Sequence, residues 1–165
     1  MRTFAICTIL VFCILMTGCK GFAFRVPTEN MLPTIQIGNT CIVDQYSSLE
    51  IKRFDIVIFK APEDITKVIG EEEVKVISRI VGMPNDKLEI RNNKIYVNDI
   101  LLKEPFEKIV SSEHPMKDFA LLEIPENEYF LLGDNRSSSF DSRYWKKSTI
   151  KKENILGKIV QILPN

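Results

Sequence analysis

The sequence predicts an all-β domain, a compact barrel or sandwich of short strands, with one hydrophobic helix ahead of it. Three observations lead there. Beyond Gly21, apolar and polar residues mostly alternate with period two, the pattern of a half-buried strand. No stretch outside the N-terminus sustains a helical period. Turn-forming residues cut the pattern into short runs, which bury their apolar faces only by layering or closing on one another. A chain of 165 residues holds one such domain plus its N-terminal segment.

Met1-Arg2-Thr3 opens the chain with a positive charge, and an almost unbroken apolar run follows from Phe4 to Thr17. About 14 residues of helix rise only ~21 Å, short of a ~30 Å hydrocarbon core, so the run suits the apolar region of a signal peptide. It ends in "LMTGC", residues 15–19, which resembles the lipobox of bacterial lipoproteins with Cys19 as the lipidated residue. The alternative is an uncleaved anchor from about Phe4 to Phe24, bridging Lys20. Residues 1–21 are therefore expected to be a lipoprotein-type signal peptide or a membrane anchor, and residues 22–165 the β domain. Either way the domain is expected to be membrane-attached in a bacterium, facing the periplasm or the cell exterior.

Strands follow in order. "TCIVDQY" (40–46), "FDIVIFK" (54–60) and "EVKVISRIVG" (73–82) are rich in Ile and Val. "KLEIRNNKIYVND" (87–99) reads as a hairpin joined at Asn92-Asn93, a pair that tolerates positive φ. "EYFLLGD" (128–134) and "ILGKIVQIL" (155–163) complete the set. Residues 104–127 are polar and broken by prolines, as in a surface excursion, and residues 137–154 have room for one short helical turn.

Lys+Arg and Asp+Glu number 22 each, so the net charge is zero and nothing resembles the basic footprint of a nucleic-acid binder. Cys7 and Cys13 lie in the apolar run, Cys19 in the lipobox, and Cys41 stands alone, so the folded domain has no cysteine pair for a disulfide. The single histidine, His114, sits in polar "SSEHPMKD" and is read as a solvated surface residue. Neither a metal site nor a cofactor is expected.

Four segments carry the chemistry: "VPTENMLPTIQIGN" (26–39), "RFDIVIFK" (53–60), "ISRIVGMPND" (77–86) and "LLGDNRSSSFDSRYW" (131–145). In this order they resemble the motifs of the type I signal peptidases, membrane-bound Ser-Lys endopeptidases that cut secretory signal peptides. The first is similar to the nucleophile box Pro-Ser-x-Ser-Met-x-Pro-Thr, and the second to the Gly-Asp-x-Val strand, with Arg53-Phe54 in place of the Gly. The third is similar to the Lys-Arg-x-x-Gly-x-Pro-Gly-Asp box, and the fourth fits Gly-Asp-Asn-Arg-x-x-Ser-x-Asp-Ser-Arg at every defining position. Asn85 replaces a Gly and Asn39 an Asp, both turn-tolerant exchanges. The resemblance spans Phe24 to the C-terminus and implies the β fold of that family's catalytic core.

It also implies a reaction in which a Ser hydroxyl attacks the scissile carbonyl and a neutral Lys takes its proton, burial supplying the neutrality. Both positions are changed here. Asn30 stands in the nucleophile's place and Ser78 in the lysine's, directly before Arg79. An amide forms no acyl-enzyme by this route. Ser78 has a hydroxyl but needs a base, and Lys75, three residues away, falls on the opposite face of a flat strand unless a bulge turns it back. Loss of both members leaves only the residual catalysis of binding and oxyanion stabilisation.

For the remaining residues the resemblance implies supporting roles. The Asn30 backbone N–H and the Thr28 hydroxyl would form the oxyanion hole, and Met31 and Pro33 would line the substrate cleft. Ser139 would face Ser78, Asp141 and Arg143 would form a supporting charge pair, and Asp134, Asn135 and Arg136 would buttress the site through a turn. The expected protein is a silent peptidase homologue that binds signal peptides or other extended segments by strand addition, or assists an active signal peptidase. The alternatives are a working signal peptidase with relocated groups and a structural lipoprotein with a vestigial cleft.

Overall fold

The computed structural model describes residues 21–45, 50–105 and 116–165. The expectations for residues 1–20, Cys19 included, and for His114 fall outside these. Among the described residues no helix is long and apolar enough to cross a membrane.

The chain is mainly β, as its alternation requires. Its elements run β1 (Gly21–Arg25), β2 (Thr40–Asp44), β3 (Ile56–Lys60), α1 (Glu63–Ile69), β4 (Lys75–Gly82), β5 (Lys87–Arg91), β6 (Lys94–Val97), β7 (Ile100–Leu101), β8 (Phe119–Glu123), β9 (Glu128–Leu132), β10 (Ile150–Lys151), a 3-10 turn (Lys152–Asn154) and β11 (Ile155–Leu163). They form a seven-stranded sheet of order β1-β2-β11-β3-β4-β9-β10 and a four-stranded sheet of order β7-β6-β5-β8. Every pairing is antiparallel, and the turn between β5 and β6 places Asn92 and Asn93 at φ 51° and 61°, the left-handed pair a tight hairpin needs.

Three apolar clusters fill the sheets. Val26, Met31, Ile35, Cys41, Val43, Ile58 and Ile77 form one cluster, which holds the segment after β1 against β2, β3 and β4. Val57, Phe59, Ile65, Tyr129, Leu131 and Trp145 form the second and bring α1 onto the opposite face of β3. Val81, Leu88, Ile90, Ile95, Phe130 and Leu132 join the smaller sheet to the larger. Phe59 and Phe130 are fully buried, and truncating either to Ala should cost ~3–5 kcal/mol. Cys41 is a buried free thiol, and desolvation pushes its pKa up. Burial raises the Tyr129 hydroxyl in the same way.

Several elements escape the period-two reading. Residues 22–24, which only the alternative anchor reading took into its span, lie in edge strand β1, a strand absent from the period-two set. Residues 104–127 contain β8. The span after residue 60 contains α1, whose signal is punctuation rather than periodicity. Pro62 caps it, Glu63 and Asp64 occupy the first turn, and Gly70 at φ 79° closes it.

Candidate functional site

The "VPTENMLPTIQIGN" segment leaves β1 as a tight turn, closed by Leu32 N–H to Glu29 O and Ile35 N–H to Met31 O. Met31 and Ile35 are fully buried and pin it to the core. Asn30 is thereby presented to β4. The Thr28 hydroxyl donates to Asn30 Oδ1 at 2.9 Å, and Asn30 Nδ2 donates to the Ile77 carbonyl at 2.6 Å. Ser78, 1% exposed on β4, donates its hydroxyl to that same carbonyl at 2.7 Å. The two positions expected to hold nucleophile and base thus converge on one backbone oxygen. The Asn30 backbone N–H has no partner among the described residues.

Lys75 does not serve Ser78. The β3–β4 register runs unbroken from Lys75 to Arg79, so no bulge turns the lysine back. Its ammonium stands over the Phe22 ring instead, 5.4 Å from the centroid.

Residues 133–143 clamp this arrangement from behind. Asn135 N–H donates to the Asn30 carbonyl at 3.0 Å, and Asn135 Nδ2 to the Glu29 carbonyl at 3.2 Å. Gly133 is needed for close approach, because a Cβ there would collide with Ser139 and with the Asn30 carbonyl. Asp134, fully buried, takes both arms of Arg79, with Nε at 2.8 Å, and also accepts from Thr34. Asp141 binds Arg143 through Nε at 2.7 Å and Nη2 at 2.8 Å and accepts from Gly133 N–H at 3.1 Å. Arg136 reaches the Gly133 carbonyl at 2.9 Å and pairs with Glu104. Arg79 Nη1 donates to Phe54 O at 2.9 Å, and Phe54 sits at φ 73°, where the motif expects Gly.

Known proteins match this pattern. The family model for signal peptidase, peptidase S26, matches residues 1–163. The chain belongs to the type I signal peptidase family. Signal peptidase I V of Bacillus subtilis is 36% identical over 148 residues, 82% of each chain. A probable chloroplastic thylakoidal processing peptidase 2 of Arabidopsis thaliana is 37% identical over 139 residues, which is 82% of this chain and 36% of that protein. A crystal structure of a signal peptidase I from Enterococcus faecalis superposes with a TM-score of 0.55 at 30% identity, covering 69% of this chain and 100% of that one.

Beside Asn30 lies an apolar groove of ≈650 Å³, walled by Phe24, Pro27, Ile65, Ile69, Val76 and Phe140. Two signal-peptidase expectations change here. Met31 points into the core and Pro33 is exposed away from the groove wall, because the turn closed by Ile35 N–H to Met31 O sets Met31 and Ile35 inward and Pro33, midway between them, outward. The Ser78 hydroxyl, expected to face Ser139, turns to Ile77 O. Thr28 lines the groove, but its hydroxyl is committed to the Asn30 side chain. The walls from α1 and Phe140 were not read from sequence. The clue to α1 was Ile65 and Ile69, four apart between Pro62 and Gly70, where they share a helix face.

Proposed function

We propose that this chain is a catalytically silent member of the signal peptidase family that holds signal peptides, or other extended segments, in the groove beside Asn30. One observation carries the reading. Asn30 and Ser78 each spend their side-chain donor on the Ile77 carbonyl, so no hydroxyl faces a basic amine at the site. The scaffold that would present a peptide is kept: an apolar groove, a backbone N–H at Asn30, and the clamp of residues 133–143. Membrane attachment rests on residues 1–21 alone.

The relatives are named as peptidases, so activity is the reading to test. Full-length protein is incubated with a secretory preprotein, and binding and cleavage are followed together. Binding without cleavage is expected. In Asn30→Ser combined with Ser78→Lys, the lysine enters a site 1% exposed, where burial disfavours its charged form and leaves an amine able to take the serine proton. This double variant should cleave at least about 10³-fold faster than the parent. Specific cleavage by the parent that Ser78→Ala abolishes would sink the silent reading.

A further inference from the structure

The β4 edge facing the groove is missing one acceptor. Antiparallel partners alternate between residues that exchange both backbone hydrogen bonds and residues that exchange none. Between β3 and β4, Ala61 N–H donates to Val74 O at 2.8 Å and Ile80 N–H to Asp55 O at 2.9 Å, which sets the phase. Ile77 then faces Ile58 across a non-hydrogen-bonded pair, and its N–H and C=O point away from β3. Strand β9 covers that side only from Arg79 onward. Lys75 and Ile77 therefore present their backbone groups to an unpaired edge, and both residues line the groove. Ile77 differs in one respect. Its carbonyl already accepts from Asn30 and Ser78, and a carbonyl oxygen has two lone pairs. The Asn30 amide is held in this sense by its Ile77 end, since its reversal would set oxygen against the Ile77 oxygen, whereas the Thr28 hydroxyl can either donate or accept.

We propose that the groove selects an extended peptide carrying proline at the residue whose N–H would meet the Ile77 carbonyl. This deepens, and rests on, the reading of the groove as a peptide site. Whichever way the added strand runs, one of its N–H groups faces that oxygen. Any other residue there leaves a buried donor without an acceptor, whereas proline brings no donor. Opposite Lys75 the situation is reversed, because proline there forfeits a bond the edge offers.

A proline scan through a fluorescein-labelled, lysine-capped peptide of alternating alanine and leucine tests this, read by polarisation with the full-length protein. One position should accept proline with unchanged or tighter binding, while neighbouring edge-facing positions lose about 3- to 10-fold. In Asn30→Ala with Ser78→Ala the carbonyl is freed, and proline at that same position should now weaken binding about 3- to 10-fold. Asn30→Leu with Ser78→Ala, which keeps bulk without a donor, should behave alike. Proline weakening the parent at every edge-facing position, or a tolerated position unmoved in both double variants, overturns the proline assignment while peptide binding stands. No binding by any peptide overturns the groove reading itself.

Discussion

The two halves of the site are built on different principles. In the front half, Thr28, Asn30 and Ser78 meet through neutral hydrogen bonds around one carbonyl. In the rear half, Arg79 with Asp134 and Arg143 with Asp141 are buried ion pairs, tied to the backbone of Gly133, Phe54 and Arg136. Neutral bonds contribute about 1 kcal/mol each, whereas breaking a buried pair strands a charge and costs several times more. The residues of the chemistry can therefore change while the frame that positions them holds.

Unequal losses are the sharpest check on that contrast. Asp134→Ala leaves the Arg79 guanidinium in a site 7% exposed and should cost ~3–5 kcal/mol in urea unfolding. Asn30→Ala should cost ~1 kcal/mol. Equal losses would erase the distinction between the halves.

A smaller effect is expected where frame and strand meet. Phe54 holds φ 73°, a conformation that costs an L-residue ~1–2 kcal/mol. Its N–H donates to Ile80 O at 2.8 Å, and its carbonyl accepts from Arg79. Phe54→Gly and Phe54→Ala both lose the ring, but only glycine relaxes the backbone. The glycine variant should be about 1 kcal/mol the more stable of the two, in contrast to glycine's usual disadvantage. Identical midpoints would show that the turn is not strained.

The smallest effect should appear with pH, outside the site. Burial pushes the Glu128 carboxyl up, but bonds from Lys147 at 2.6 Å and from Thr149 outweigh it and hold its pKa below the ordinary value. A depressed carboxyl stabilises the fold above its unfolded pKa of about 4.3, and that stabilisation is lost as pH falls through the folded pKa. The stability gap between the parent and Glu128→Gln should therefore narrow from about pH 5 to about pH 3. A gap that widens on acidification contradicts the sign.

Period two made much of this molecule legible. It placed β3, β4, β9 and the hairpin, and it put Lys75 and Ser78 on opposite faces, as the unbroken register does. The Asp141–Arg143 pair was readable because both residues sit in one short motif. What the sequence withheld was direction within turns. Residues 28–35 follow no period, so nothing told Met31 from Pro33 as core or surface. Arg79 reaching Asp134 joins positions 55 apart, and no local pattern encodes such a meeting. Helix α1 was hidden because seven residues make too few turns to show a stripe.

The shared Ile77 oxygen also bears on how this sequence can change. A lone Asn30→Ser gives a hydroxyl with no base. A lone Ser78→Lys buries an amine beside an amide that cannot attack. Under the silent reading proposed above, neither single step restores a Ser-Lys pair, and each disturbs the bonds that now close the site. On that reading selection for cleavage has no gradient to follow from here, and the Ser-Lys pair is two simultaneous changes away. Drift would have to cross that gap unaided.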